Sequence, residues 1–387
     1  MTKRIAITGL GIVDPLGYSP DECFDNLVND YDPHQDIKQY NIDSYPNIPV
    51  TRACSVDYAK LQHRDERSDP YIQLATHAVE QALADSKHTS KNAAVIFSSL
   101  GTSAPSRYSL QSAIESGKRR YSPRSIMENI DDYISGHISR THEFTGLSTG
   151  MNAACATGLI SLDYAVRIVN DYDFVVVGGA DSMIDTMYMY SFNVLQALSQ
   201  TYCRPFGADR DGFDMGEGAG CIIIETEERA LARGAHIYGY IDGIAVANDY
   251  YSVTSPDPEG RGAELAMQTA WERAGCPNID FVNAHATGTV AGDDVEYAAI
   301  RRLFKDAAIY SSKGKIGHTM AGCGIIELIH GISTFKYGVI PRTFNLSNKI
   351  ADDELLLTQN LAKTSQVFIK NSFGFGGRCA SVVVSKD

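Results

Sequence analysis

Cys155 lies in MNAACATGL, where a run of small residues leads into an apolar stretch read as a buried helix. A sulfur at a helix start faces free backbone N–H groups and the positive end of the macrodipole, which favour thiolate over thiol. A buried cysteine is ordinarily a small core hydrophobe. The flanking alanines, threonine and glycine point elsewhere, because they pack backbone closely and leave room for a bulky adduct. His285 follows the strand-like FVN in NAHATGTVAGDDVE, with Thr287 and Thr289 behind it and Asp293 and Glu296 further along. A histidine at the C-terminal end of a buried strand, followed by hydroxyls and glycine, is placed to reach a ligand. His318 closes SSKGKIGH at the start of a second buried helix. The positive helix end disfavours imidazolium there, so His318 is expected to stay neutral and donate from Nε2 to a developing oxyanion. Lys313, in the same glycine-containing loop, reads on its own as a solvated lysine. NSFGFGG (371–377) sets two phenylalanines among glycines, which supplies a mobile backbone and exposed N–H groups.

These residues need elements to hold them. Short β-rich runs, RIAITGLGIV, AAVIFSS, DFVVVGGADS, GCIIIETE, FVNAHA and CASVVVS, alternate with helical stretches. That alternation predicts an α/β protein with largely buried sheets. YIQLATHAVEQALADS and RGAELAMQTAWERAG carry apolar residues at three- and four-residue spacing and read as ordinary surface helices. ATGLISLDYAVRIV and AGCGIIELIHGIST begin with small residues and carry few charges, so both are expected at the centre. One lies in each half of the chain. We therefore expect two similar halves, 1–247 with the cysteine and 248–387 with the histidines, meeting through their buried helices. The acidic, tyrosine-rich NDYYSVTSPDPEG is the best boundary.

Composition narrows the function. The 387 residues are 44% hydrophobic and 21% charged, enough for a large core, which excludes a disordered or fibrous chain. A net charge of -13 argues against nucleic acid, whose binders need a basic footprint. No run is long and apolar enough to span a membrane, and the start lacks a secretory pattern, so a soluble, unprocessed cytoplasmic protein is expected. The eight cysteines are scattered, without C-x-x-C pairs or metal-ligand spacing, which suits a reducing compartment and no metal site. GLGIVDPLG resembles the opening of a dinucleotide fingerprint, but it lacks the third glycine and has a proline where the helix must begin.

Taken together, the motifs resemble an elongating β-ketoacyl-acyl carrier protein synthase of fatty-acid and polyketide synthesis, a thiolase-fold enzyme. ITGLGIVDPLG, NAACATG, CRPFGADRDGFDMGEGAG, NAHATGTVAGDDVE, SSKGKIGH, GVIPRTFN and NSFGFGG occur in the family's order through nearly the whole chain. The resemblance implies a layered αβαβα structure and a decarboxylative condensation. It makes Cys155 the acylated nucleophile and His285 and His318 the pair that promotes malonyl decarboxylation. Lys313 and Glu296 match charged positions supporting the histidines, and Asp293 an acidic position before them. Thr254, Thr287 and Thr289 match hydroxyls along the pantetheine tunnel, beside Phe373. Phe375 matches the gating phenylalanine whose N–H joins that of Cys155 in an oxyanion hole. No cofactor is implied, since the substrates ride on the phosphopantetheine of acyl carrier protein.

The resemblance also implies a homodimer, with DFVVVGG continuing the sheet across the two-fold. A heterodimer with a chain-length-factor-like subunit is the alternative assembly. An acidic carrier needs local basic residues on an acidic enzyme, and Arg64 with Arg67, or Lys118, Arg119, Arg120 and Arg124, are the candidate docking clusters. Three departures stand out: Arg378 and Cys379 replace the usual Thr-Asn, GLSTGMNAAC is shorter than usual, and MENIDDYISGH is more acidic. Two other readings share the fold. A silent chain-length factor usually replaces the nucleophile, which is kept here. A coenzyme A thiolase uses a second, late cysteine, and Cys379 follows the glycine run where that cysteine would precede it.

Overall fold

The computed structural model describes residues 4–37, 50, 52–62, 65, 67–101, 111–117, 127, 128, 130 and 132–387. In chain order its strands are β1 (Ile5–Val13), β2 (His34–Asp36), β3 (Arg52–Cys54), β4 (Ala93–Ser98), β5 (Ser148–Thr149), β6 (Phe174–Asp181) and β7 (Gly218–Thr226). There follow β8 (Gly239–Asn248), β9 (Phe281–Asn283), β10 (Ala308–Tyr310), β11 (Val339–Ile340), β12 (Leu361–Ala362), β13 (Val367–Gly374) and β14 (Arg378–Ser385).

Ten strands form one sheet in the order β10-β9-β13-β14-β8-β1-β7-β6-β4-β5. It consists of two sets of five, and each set orders its strands, counted along the chain, as 3-2-4-5-1. In both sets strands 3, 2 and 4 run parallel, whereas the 4–5 and 5–1 pairs are antiparallel. The sets meet where Ile5, Ala6 and Ile7 of β1 pair with Ile241, Tyr240 and Gly239 of β8. The sheet is therefore built as a repeated topology. The second repeat opens at Gly239, ahead of the expected 247/248 division, because the sequence of β8 does not read as a strand. GYIDGIAVAN breaks its apolar run with glycine and Asp242, and β13, VFIKNSFG, hides its signal behind Lys370 and Asn371.

The helices Thr157–Ile168 and Cys323–Tyr337 pack between the two strand sets and touch where Gly158 faces Ile325 and Gly324 faces Leu159. The helices Pro70–Ser86 and Arg261–Arg273 cover the outer faces, giving the αβαβα layering. Their seats correspond: a Cβ on Gly11 of β1 would lie 1.8 Å from the Ala78 carbonyl, and one on Gly243 of β8 would lie 2.1 Å from that of Ala270. Pro70–Ser86 is more than the surface helix expected, since Tyr71, Ile72, Leu74, Ala75, Ala78 and Val79 are all buried. The helix Tyr133–His142 supplies Ile134 and Ile138 to the same cluster and accounts for the extra burial. No helix among the described residues is long and apolar enough to cross a membrane.

One expectation is overturned. DFVVVGG is β6, which pairs with β4 on one side and β7 on the other and has no free edge to continue a sheet. The edge in this half belongs to β5, immediately before the nucleophile segment. β6 is valine-rich because it is buried on both faces, a composition that interior and pairing strands share.

Candidate active site

Cys155 sits just ahead of the helix Thr157–Ile168. Ala154 takes a left-handed backbone (φ +50°), unusual for a residue with a Cβ, and this turns the chain sharply into the helix. The Thr157 hydroxyl holds the turn, accepting from Ala153 N at 2.8 Å and donating to the Ala154 carbonyl at 2.5 Å. The Cys155 carbonyl is held from the other half, by Ser372 Oγ at 2.8 Å and Cys323 Sγ at 3.3 Å. Burial pushes the Cys155 thiol up, and the nearby Lys313 charge opposes this only in part. The expected thiolate is therefore disfavoured at rest, because desolvation acts against the charge that a helix start favours. The thiol must give up its proton during acyl transfer.

His318 is placed by backbone. Its N–H donates to the Asp214 carbonyl at 2.8 Å, and its own carbonyl accepts from Gly216 N at 3.1 Å. Its Nδ1 accepts from Met320 N at 3.3 Å, so the ring proton resides on Nε2, which is buried without a partner. His285 leaves β9 with its N–H donating to Glu296 Oε1 at 2.8 Å, and the two imidazole centroids stand 5.5 Å apart. Both imidazoles are held well below their usual pKa, first by burial and then by the Lys313 ammonium. His318 is thus neutral, as expected, but for a different reason. The helix begins at Cys323, beyond a turn at Met320–Gly322, so burial and a buried cation replace the helix dipole as the cause.

Lys313 is not the solvated lysine that its loop alone implied. Its Nζ lies 2.6 Å from Glu327 Oε1, Lys370 Nζ lies 2.6 Å from Oε2 of the same carboxylate, and all three side chains are wholly buried. Two ammoniums and one carboxylate leave a net positive charge behind the histidines, which disfavours imidazolium. Glu296 does not touch either imidazole. Its carboxylate accepts from the N–H groups of His285 and Ala286 and from Asn371 Nδ2, so it fixes the backbone that carries His285. Asp293 plays a similar part, accepting from Phe206 N and Gly288 N, with its carboxyl pushed up to about 7 by burial.

A cavity of about 390 Å³ joins these groups; Cys155, His285, His318, Thr254, Thr287, Thr289, Asp293, Glu296, Phe373 and Phe375 all line it. That volume suits an extended small ligand. Gly374 presses on the nucleophile turn, since a Cβ there would lie 2.7 Å from the Ala153 carbonyl and 3.1 Å from Cys155 N. Phe375 therefore follows directly on a residue in contact with Cys155. Arg378 donates to the Phe375 carbonyl at 3.3 Å, and Cys379 lies in the cavity wall with its thiol pushed up to about 12 by burial. Of the expected docking residues, Arg67 is exposed and pairs with Asp65 at 3.0 Å. Arg64, Lys118, Arg119, Arg120 and Arg124 lie outside the described residues.

Sequence reasoning missed Glu327, Lys370 and Asp181. Glu327 is the single acid in the central helix and follows the apolar pair Ile325–Ile326, a signal legible in the sequence. Asp181 ends β6 and accepts from Ser99 Oγ, Leu100 N and Ala321 N, which ties the first half to the turn after His318.

Known proteins resemble this chain over its whole length. The Beta-ketoacyl synthase N-terminal domain matches residues 2–230, and the Beta-ketoacyl synthase C-terminal domain matches residues 238–347. The 3-oxoacyl-[acyl-carrier-protein] synthase 2 of Rhizobium meliloti is 31% identical over 423 aligned residues, covering 99% of both chains. The mitochondrial 3-oxoacyl-[acyl-carrier-protein] synthase of Arabidopsis thaliana is 33% identical, covering 98% of this chain and 93% of its own. A crystal structure of a beta-ketoacyl synthase from Burkholderia phymatum superposes with a TM-score of 0.91 at 27% identity, covering 100% of both chains. With a thiol, two neutral imidazoles and a buried cation around one tunnel, this chain belongs to the beta-ketoacyl synthase family and is a condensing enzyme of the acyltransferase type.

Proposed function

We propose that the enzyme joins an acyl group held on Cys155 to a malonyl unit delivered by acyl carrier protein, in fatty-acid or polyketide synthesis. The observation that carries this is His318: its Nδ1 is occupied by a backbone donor, so its Nε2–H is left unpartnered in a cavity shared with a cysteine. In the first step Cys155 Sγ attacks the acyl thioester carbonyl, and the departing pantetheine thiolate takes the cysteine proton. In the second, the bond between the malonyl α-carbon and its carboxylate breaks and carbon dioxide leaves. His318 and His285 donate to the thioester oxygen of the resulting enolate. The α-carbon then attacks the acyl-Cys155 carbonyl, whose oxyanion is met by the N–H groups of Cys155 and Phe375. Collapse releases the β-ketoacyl thioester, and the cysteine takes up a proton. No step calls for a metal or a dissociable cofactor.

The carrier docks, in this reading, on Arg67 and the other basic residues expected from sequence, within a Debye length of about 8 Å of its acidic surface. Assembly as a homodimer, with a chain-length-factor-like partner as the alternative, also belongs to this reading. We place the enzyme in the cytoplasm, a reducing setting that suits eight unpaired cysteines. The test separates the half-reactions. His285→Ala and His318→Ala are expected to acquire an acyl group on Cys155 from acyl carrier protein yet release no carbon dioxide from malonyl carrier protein. Undiminished release by both variants, or no β-ketoacyl product from the wild type with any acyl chain, would refute the reading.

A further inference from the structure

His318 is held by a short stack of backbone from distant parts of the chain. β3 lies beside the segment 214–217, with Cys54 N donating to the Met215 carbonyl at 2.8 Å, and that segment in turn binds the His318 N–H through the Asp214 carbonyl at 2.8 Å. Asp214 thus has two ends. Its main chain holds a catalytic histidine, and its carboxylate, 2% exposed, holds something else. Oδ2 accepts from Cys203 N at 2.9 Å and meets His34 Nε2 at 2.9 Å. The other nitrogen of His34, Nδ1, meets Asp32 Oδ1 at 2.6 Å, and its side chain is 3% exposed. An imidazole with a carboxylate on each nitrogen satisfies both only as imidazolium, because neutral imidazole has a single N–H.

We propose that His34 is a positioning residue for His318: as imidazolium it clamps the Asp214 carboxylate, and the Asp214 main chain passes that constraint to the catalytic ring. The proposal rests on His318 acting in decarboxylation as set out above. The surroundings agree. Among the described residues, Asp32, ahead of β2, and Asp214, from the loop before β7, are the two charges that face His34. The Tyr202 ring meets the imidazole edge-on at 5.7 Å, and its own face is covered by Arg52 of β3 at 3.5 Å. Cys54, opposite His34 in the β2–β3 pair, and Cys203 have thiols pushed well up, chiefly by burial, and add no charge. Burial opposes protonation of His34, but the two carboxylates outweigh it and raise its pKa above the usual histidine value. A raised pKa means that the clamp is complete at low pH and is lost as pH rises through the folded value. Above it His34 has one N–H for two carboxylates, so its hold on Asp214 is shared with Asp32 and the constraint that Asp214 passes to His318 is loosened.

The experiment follows Cys155 acylation and carbon dioxide release from malonyl carrier protein separately, each against pH. In the wild type, release is expected to fall on the alkaline side as His34 deprotonates. His34→Gln is expected to lower release about tenfold at neutral pH, to keep acylation within about twofold, and to abolish that alkaline limb, since a small displacement of an oriented group costs this much. Asp32 is half exposed and replaceable, so Asp32→Asn removes one carboxylate with little risk to folding. It is expected to move the limb to lower pH. Variants that keep the wild-type release profile overturn the proposal, and if His34→Gln does not fold, an unmoved limb in Asp32→Asn overturns it alone. A wild type that releases no carbon dioxide at any pH refutes the functional reading instead.

Discussion

Replacing Glu327 with glutamine tests whether the buried charges behind the histidines are held as described. Glu327 lies 2.6 Å from each of two lysine ammoniums, and all three side chains are wholly buried. Glu327→Gln leaves Lys313 and Lys370 facing each other without a counter-charge. Removing one partner from a buried ion pair costs about 3–5 kcal/mol, because the remaining charge stays desolvated. With an unfolding entropy of about 2.1 cal/mol/K per residue over 387 residues, roughly 0.8 kcal/mol/K, that loss corresponds to a fall in Tm of about 4–6 °C. The pH dependence is a sharper check. In the variant the lysines are pushed below their unfolded value of about 10.4, so the native state binds fewer protons than the unfolded state and stability rises with pH. The deficit against wild type is therefore expected to shrink between pH 7 and pH 9. Removing Lys370 as well, in Glu327→Gln/Lys370→Met, is expected to return part of the loss. Calorimetry of the three proteins at both pH values is the assay. A variant melting within about 1 °C of wild type at both would show that the triad is not a closed, dry charge cluster.

Three further outcomes follow from the same geometry. Cys276 is the exposed cysteine and Cys155 sits deeper, so limiting iodoacetamide is expected to modify Cys276 first, with activity loss tracking the Cys155 adduct alone in peptide mass analysis. Gly374→Ala places a Cβ against two backbone atoms of the nucleophile turn, and is expected to cut kcat by roughly a hundredfold with little change in KM; unchanged kcat would mean that the turn yields freely. Lys313→Met removes the cation that depresses both imidazoles most, so their pKa values rise towards the ordinary one. Neutral imidazole is the working form and is lost as pH falls, so the acid limb of carbon dioxide release is expected to move to higher pH, and a limb that stays put would remove Lys313 as a cause of the depression.

The parts of this enzyme that read clearly from sequence are those in which one residue type does one local job. Cys155 among alanines, His285 after a strand and His318 after a glycine loop all announced themselves, as did the apolar strands β1, β6, β7 and β14. β8 and β13 did not, because each carries polar residues in a buried run, Asp242 in one and Lys370 with Asn371 in the other. Periodicity treats such residues as surface positions. Only the fold shows that Lys370 points at a carboxylate on a helix from elsewhere in the chain.

The same limit explains why the chemical state of the site was harder to read than its membership. A helix start argues for a thiolate at Cys155 and a neutral ring at His318, and the two conclusions have different fates for one reason. Burial disfavours charge on both groups. It therefore cancels the dipole argument for the cysteine, whose active form is charged, and reinforces the outcome for the histidine, whose active form is neutral. Depth comes in part from the opposing half of the molecule: Ser372 and Cys323 close over the Cys155 carbonyl, and Asp214 closes over the His318 N–H. Cys155, at the junction of two repeats, takes part of its electrostatics from the repeat it does not belong to, whereas the histidines take theirs from burial and from Lys313 of their own repeat, so a local motif names the residue while its buried surroundings decide the protonation state.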